Sequence, residues 1–253
     1  MADVVTLAFA DLTAEVVPAR GALVTALRSR GRDVLYLDPA TLADPAKNVR
    51  GGIPLLFPFA GKLANETFTL ANTTFKQHGF ARDRAWDVTA RDAASVRMTL
   101  IADAATRELY PYAFTAHHAV MLVPGGIQLE LTIVAGEQPL PVSPGWHPYF
   151  ATTDKNQLAV ALPGAEGFRD DREFDFGVVA AIDGRTRATV PGLGELELAA
   201  SPELRHVQFW SQPSKPFVCI EPFFGPANTI NTERRGWIPA NEARTFWMRI
   251  RLA

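Results

Sequence analysis

Glycine and proline are spread along the whole chain and divide it into short segments. The 253 residues include 18 glycines and 19 prolines, somewhat more than average usage. Pairs such as Pro163-Gly164 and Asp183-Gly184 mark turns between apolar runs. No amphipathic pattern of helical period extends beyond about three turns. The sequence therefore favours short β-strands joined by tight turns over long helices.

Alternation of polar and apolar residues identifies the strands themselves. It is clearest in Ser95–Ile101 and Gly126–Val134. The sequence also predicts a hairpin over residues 21–38 and a short helix within Ala40–Asn48. Further strands are predicted at Leu158–Leu162, Leu193–Leu198, His206–Trp210, Phe217–Ile220 and Thr245–Leu252. This distribution predicts an all-β fold, a large antiparallel β-sandwich formed by residues 1–253 as a single domain.

Charge and cysteine content exclude several classes of protein. The formal net charge of −2 offers no basic excess for phosphates, so we expect no nucleic-acid partner. Apolar stretches such as Gly52–Ala60 are shorter than the ~18–20 residues of a membrane span, and Met1–Val5 lacks the start of a secretory signal. The single cysteine, Cys219, cannot form an intramolecular disulfide. We therefore expect a cytoplasmic protein. We also expect a monomer or a weak homodimer.

Two segments combine glycine with arginine. The prolines that follow Arg50 prevent a central strand there, so this segment is either a buried turn or a loop that presents Arg50 to a cleft. A guanidinium in a cleft can bind oxyanions or hydroxyls. In the second segment His78 precedes Gly79 and is followed by Arg82. His78 is therefore a candidate catalytic residue, with a surface or hydrogen-bonded histidine as the alternative.

Two further segments place an ionisable residue among apolar neighbours. His147 lies between Trp146 and Pro148, as either a core histidine or an imidazole that titrates near neutral pH. Glu221 follows three apolar residues in a strand-like run. If it is buried, its raised pKa suits a general base; on an edge strand it would point to water. The remaining histidines are predicted to be structural: His117, His118 and His206.

Together the four segments resemble the aldose 1-epimerase (galactose mutarotase-like) superfamily, and most of all its branch of hexose-6-phosphate mutarotases. The matching pieces are Arg50-Gly51-Gly52-Ile53-Pro54, Gln77-His78-Gly79-Phe80-Ala81-Arg82 with Trp86, His147-Pro148-Tyr149-Phe150 and Cys219-Ile220-Glu221-Pro222. The resemblance implies an antiparallel β-sandwich with its site on the concave face of one sheet. It also implies a small-molecule sugar or sugar phosphate as partner, and neither cofactor nor metal.

The resemblance further implies roles for individual residues. Glu221 would act as general base and His147 as general acid, while His78 would help to bind and polarise the sugar. The substrate-binding residues predicted in this way are Arg50, Arg82, Asp171 and Trp146. Asp171 is the candidate for an aspartate that contacts sugar hydroxyls in the family. No motif around Asp171 matches the family's sequence. We expect an aldose 1-epimerase that interconverts the α and β anomers of an aldohexose or a hexose 6-phosphate.

Two other functions fit the same residues. His78, His147 and Glu221 form the two-histidine, one-carboxylate set of non-haem iron sites, although such ligands usually lie closer together in the sequence. A sugar-binding protein without turnover would also carry aromatic residues and arginines in a concave sheet. Metal analysis with a chelator tests the first alternative, and a measurement of anomer exchange tests the second.

Overall fold

The computed structural model describes residues 3–253, and antiparallel sheets are its main regular structure. The strands are β1 (Val5–Phe9), β2 (Leu12–Val17), β3 (Leu23–Ser29), β4 (Arg32–Asp33), β5 (Leu55–Leu56), β6 (Thr67–Phe68), β7 (Thr73–Thr74), β8 (Asp87–Arg91), β9 (Ser95–Ile101), β10 (Phe114–Val123), β11 (Gly126–Ala135), β12 (Leu140–Val142), β13 (Gly145–Trp146), β14 (Tyr149–Ala151), β15 (Ala159–Val160), β16 (Phe174–Val179), β17 (Arg185–Val190), β18 (Gly194–Ala200), β19 (His206–Ser211), β20 (Phe217–Phe223), β21 (Gly236–Ile238) and β22 (Ala243–Leu252). The helices are α1 (Pro39–Ala43) and α2 (Ala104–Leu109), with 3-10 turns at Pro18–Arg20, Ala64–Glu66, Ala81–Asp83, Lys155–Gln157 and Thr229–Asn231.

Most of these strands belong to three sheets. An eight-stranded sheet has the order β15-β17-β18-β22-β11-β10-β9-β8, and a six-stranded sheet has the order β16-β19-β20-β13-β5 with β14 paired to β20. Strands β1 to β4 form the third sheet in sequence order, and the pairs β12-β21 and β6-β7 are separate. The predicted all-β sandwich is confirmed, and no helix within residues 3–253 has the length and apolarity to cross a membrane.

The two large sheets pack face to face through their apolar sides. In β10 the exposure alternates, so that His118 is buried while its neighbour His117 is exposed; the two histidines point to opposite faces as predicted. The indole Nε1 of Trp146, on the six-stranded sheet, donates to Nε2 of His118 over 3.4 Å. Nearby, the ring of Phe57 packs against Phe114 with a centroid distance of 5.0 Å. These contacts close the core between the sheets.

Strand β20 is buried along its whole length, because both of its faces are covered. Val218 and Ile220 belong to the main core between the sheets. The alternate residues Cys219, Glu221 and Phe223 point to the other face, where Cys219 packs with Tyr149 and Phe217. The only acidic side chain of this strand is thus held on the face away from the main core.

Several elements differ from the sequence prediction. The helix predicted within Ala40–Asn48 is the shorter α1, and the second arm of the hairpin over residues 21–38 pairs only through β4. Helix α2 was not predicted, although Asp103 and Thr106 form a capping box at its start. Strand β8 was also missed, because all of its residues are exposed and its alternation is weak. The single domain over residues 1–253 and the absence of a signal in Met1–Val5 stay predictions, since residues 1 and 2 lie outside the described part.

Candidate active site

A cavity of about 230 Å³ opens above the face of β20 that carries Glu221. Its lining includes Arg50, Lys62, Gln77, His78, His147, Glu173, Asp175, Gln208, Trp210, Gln212, Glu221 and Phe223. Four of the seven residues predicted from the sequence, from three loops and one strand, therefore meet in one place. They are Arg50, His78, His147 and Glu221.

The imidazole of His147 and the carboxylate of Glu221 lie side by side, with Nε2 and Oε2 3.4 Å apart. The backbone N–H of His147 donates to the Pro54 carbonyl over 3.0 Å, and its ring stacks on Tyr149 at 4.6 Å. Glu221 is only 1% exposed. Its Oε1 has no hydrogen-bond partner, and neither has Nδ1 of His147. Buried polar atoms are seldom unpaired, so this pair is poised for a ligand.

Burial favours the neutral form of both Glu221 and His147, and it shifts their pKa values in opposite directions. Desolvation, followed by the negative charge of Asp175, raises the pKa of Glu221 well above its ordinary value. Desolvation, followed by the positive charge of Arg82, lowers the pKa of His147 to about 3. Both shifts disfavour the form in which Glu221 is ionised and His147 is protonated, relative to the form with the proton on the carboxyl group. The 3.4 Å contact lets one proton pass between the two groups.

His78 presents a hydrogen-bond donor to the cavity. The backbone N–H of Gly61 donates to His78 Nδ1 over 3.0 Å. Burial, followed by the charge of Arg82, holds the pKa of His78 well below its ordinary value, so the ring is neutral. A neutral imidazole that accepts at Nδ1 carries its proton at Nε2. His78 can therefore donate to a ligand oxygen without itself changing charge.

The turn that carries His78 depends on the glycine that follows it. Both His78 and Gly79 have positive φ, 64° and 63°, and a Cβ on Gly79 would lie 2.2 Å from the carbonyl oxygen of Phe57. We expect Gly79→Ala to lower the free energy of unfolding by more than about 2 kcal/mol, because backbone strain and overlap add. The measurement is urea denaturation.

Gly31→Ala is the matched control for that substitution. Gly31 has a positive φ of 75°, but nothing lies within 4 Å of the position that its Cβ would occupy. It should therefore lose only about 1 kcal/mol. Equal losses in the two variants would contradict the role given to the close approach between Gly79 and Phe57.

The two predicted arginines lie at different depths. The guanidinium of Arg50 lines the cavity, lies 5.0 Å from the ring centroid of Trp210, and interacts with the hydroxyl of Tyr149. Arg82 does not line the cavity: its largely buried side chain lies 3.9 Å from the carboxylate of Asp83. It is still close enough to lower the pKa values of both cavity histidines. Arg82 acts on the site through its charge.

The structure places Trp146 away from the cavity, in contrast to the prediction that it contacts the substrate. Its ring is fully buried and packs against His118 in the core. The reason is the strand alternation: consecutive residues point to opposite faces, so Trp146 faces the core while His147 faces the cavity. The aromatic residues that line the cavity are Trp210 and Phe223.

Asp171 also lies outside the cavity. Its side chain is 75% exposed and forms an ion pair with Arg172 at 3.5 Å. The acids that line the cavity are Glu173 and Asp175, which come from the start of β16 and the residue before it. The cavity acid Asp175 follows the predicted Asp171 by four residues, and β16, the strand that carries it, was not recognised in the sequence.

A hydrogen-bonded row holds these acids at the cavity wall. Gln208 Nε2 donates to Asp175 Oδ1 over 2.6 Å, and Trp210 Nε1 donates to Glu173 Oε1 over 2.8 Å. Gln208 lies directly opposite Glu221 in the β19–β20 pairing, so both side chains share the cavity face. Strand alternation over His206–Trp210 puts Gln208 and Trp210 on one face. This signal was available in the sequence, but it does not identify the partner strand.

Comparisons with known proteins show the family and the fold of the chain. The family model described as "Aldose 1-epimerase" matches residues 3–168, a part that includes His78 and His147 and ends before Glu221. A protein from Cenchrus ciliaris named "Putative glucose-6-phosphate 1-epimerase" is 28% identical over 155 residues, which is 55% of this chain and 44% of that protein. The chain thus matches less than half the length of this curated relative.

Two solved structures share the whole fold. The Slr1438 protein from Synechocystis sp. PCC 6803 superposes with a TM-score of 0.93 at 28% identity, over 100% of this chain and 96% of that one. A galactose mutarotase-like protein from Lactobacillus casei ATCC 334 has a TM-score of 0.82 at 20% identity, over 99% and 100%.

Proposed function

Because the chain belongs to the aldose 1-epimerase family, we propose that it interconverts the α and β anomers of an aldohexose or, preferentially, its 6-phosphate. The observation that carries this proposal is the contact of 3.4 Å between His147 Nε2 and Glu221 Oε2 at the cavity. A hemiacetal carries its ring oxygen and its anomeric hydroxyl on the same carbon. An acid and a base that serve both oxygens must therefore lie next to each other.

The reaction consists of two paired proton transfers. Glu221 takes the proton of the O1 hydroxyl while His147 gives a proton to the ring oxygen O5, and the C1–O5 bond breaks to leave an aldehyde and a free 5-hydroxyl group. The aldehyde then rotates about the C1–C2 bond. Ring closure on the other face returns the proton from Glu221 to O1, and His147 takes the proton of the 5-hydroxyl. Each such transfer contributes ~10²–10⁴-fold to the rate.

The proton that the pair shares suits this cycle. Opening requires that the proton first moves from Glu221 to His147 across their contact. It ends with a proton on Glu221 again, so the number of protons on the pair stays the same. Before opening, Glu221 is a carboxylate and His147 an imidazolium, and burial disfavours both charges. After opening, both groups are neutral. Neither half of the reaction requires exchange with bulk water.

The rest of the lining supplies contacts for the sugar. His78 Nε2–H is a neutral donor for a sugar oxygen, and Asp175 with Gln208 offers acceptors and a donor to hydroxyls. Trp210 and Phe223 provide ring surfaces on which the apolar face of a sugar can pack. This set binds and orients the ring over the proton-transfer pair.

Two cations favour a phosphorylated substrate. Arg50 and Lys62 line the cavity, and within residues 3–253 neither forms an ion pair with an acid. Cations that form no ion pair with a protein acid are available to a phosphate. The adjacent acids Glu173 and Asp175 are hydrogen-bonded to Trp210 and Gln208 instead.

We expect Arg50→Gln and Lys62→Gln each to raise KM for a hexose 6-phosphate by about 10-fold or more, with a smaller change for the free hexose. A hydrogen bond to a charged group contributes about 1.5–3 kcal/mol, whereas a neutral sugar gains little from either charge. Arg30→Gln, an exposed substitution outside the cavity lining, is the control. Equal changes in KM for the hexose and its 6-phosphate would contradict the proposed contact with the phosphate.

The experiment for the function itself is an anomer-exchange panel. Freshly dissolved α-glucose, α-galactose and α-glucose 6-phosphate are followed by polarimetry or NMR with and without the protein. We expect exchange faster than in buffer, most of all for the 6-phosphate. Binding of these sugars without acceleration would instead indicate a sugar-binding protein without turnover.

A further inference from the structure

We propose that His147, Cys219 and Glu221 form a binding site for a zinc-like divalent transition metal, and that the metal blocks the proton-transfer pair. One potential ligand atom from each of the three residues lies within 4.8 Å of the others, and all three residues are buried. The binding is independent of the proposed function, whereas the inhibition rests on it.

The strand pairing brings these ligands together. Cys219 and Glu221 alternate on β20 and so share one face, and Cys219 pairs directly with Tyr149 of β14, two residues after His147. Zinc bonds of about 2.0–2.3 Å place tetrahedral ligands roughly 3.3–3.6 Å apart. The contact of 3.4 Å between His147 and Glu221 already has this spacing, and the Cys219 sulfur lies within 4.8 Å of the ligand atoms of both.

An unpaired carboxylate oxygen indicates a ligand at this position. Glu221 Oε1 has no hydrogen-bond partner, and the Glu221 side chain is only 1% exposed. His78, the second histidine of the alternative metal set considered from the sequence, is not part of this group. The structure therefore exchanges a histidine for the thiol of Cys219.

The loaded metal site would carry no net charge, which allows it to be buried. On binding, the Cys219 thiol releases its proton to solvent and the proton held by the His147–Glu221 pair also leaves. A dication with one thiolate, one carboxylate and one neutral imidazole has no net charge, so Arg50 and Arg82 nearby face no excess positive charge. Thiolate and imidazole ligands select zinc-like metals over magnesium or calcium. Since His147 and Glu221 both line the cavity, the metal can enter from there.

Cobalt(II) tests the site directly. Untagged, chelator-treated protein is titrated with Co²⁺, and the sulfur-to-cobalt charge-transfer band in the near ultraviolet is recorded. Cys219 is the only cysteine of the chain, so a band that saturates at one equivalent identifies its sulfur as a ligand even without a variant. We expect this band, and we expect Zn²⁺ to abolish it. Its absence from the folded protein would overturn the proposal.

Two variants define the ligand set. Cys219→Ser should lose the cobalt band and should bind Zn²⁺ at least about 10-fold more weakly by calorimetry. His78→Gln should keep the band and the wild-type affinity for Zn²⁺. A band that disappears in His78→Gln but not in Cys219→Ser would also overturn the assignment. Thermal melting of each variant verifies that it is folded.

Inhibition is measured separately. Zn²⁺ should slow catalysed anomer exchange by wild-type protein, and a chelator should restore the rate. If the protein catalyses no exchange at all, the proposed function fails while the cobalt result still decides the metal site. If exchange is catalysed and saturating Zn²⁺ leaves it unchanged, the proposed blockade of the pair is wrong.

Discussion

Glu221→Gln is expected to lower kcat/KM for anomer exchange by roughly 10²–10⁴-fold. The amide has the shape of the carboxylate but cannot take the proton of the O1 hydroxyl. Because Glu221 is buried in the centre of β20, no other acid can replace it in the same position. The measurement is the initial rate of anomer exchange by NMR, with the spontaneous rate in buffer subtracted.

Glu195→Gln is the control for this substitution. Glu195 is an exposed acid of β18 that does not line the cavity, so the variant should keep the wild-type rate. Full activity in Glu221→Gln would eliminate the mechanism proposed here. A loss that appears only as a higher KM would show that the carboxylate binds the sugar without moving a proton.

His147→Gln is expected to reduce kcat by a similar factor, roughly 10²–10⁴-fold. Without the imidazole, Glu221 loses the neighbour that protonates the ring oxygen as the C1–O5 bond breaks. The imidazole also stacks on Tyr149, so urea denaturation of the variant separates a loss of catalysis from a loss of stability. His117→Gln, at an exposed position of β10, should retain the wild-type kcat.

The double variant distinguishes a coupled pair from two independent groups. If Glu221 and His147 transfer protons in one concerted event, the loss in Glu221→Gln/His147→Gln should be close to that of either single variant. Losses that multiply would indicate that the two residues act in separate steps, and the shared-proton cycle would then be wrong.

Burial of the candidate site residues could be predicted where a residue's neighbours in the chain were informative. Glu221 within an apolar run and His147 between Trp146 and Pro148 both indicated buried ionisable groups. The same reasoning failed for Trp146, because its neighbour His147 occupies the cavity face and leaves Trp146 in the core. It also failed for Asp171, since the strand that brings Asp175 to the cavity was not recognised.

By itself the sequence determined the fold class, the approximate positions of many strands and the family. A period of two residues and the turn residues between strands are local features, and they specify which side chains of one strand share a face. Only the tertiary structure decided which faces meet. The pairing of Gln208 with Glu221 and the contact between His147 and Glu221 join residues from separate strands and loops. Register between such strands depends on packing throughout the sandwich, so no local pattern encodes it.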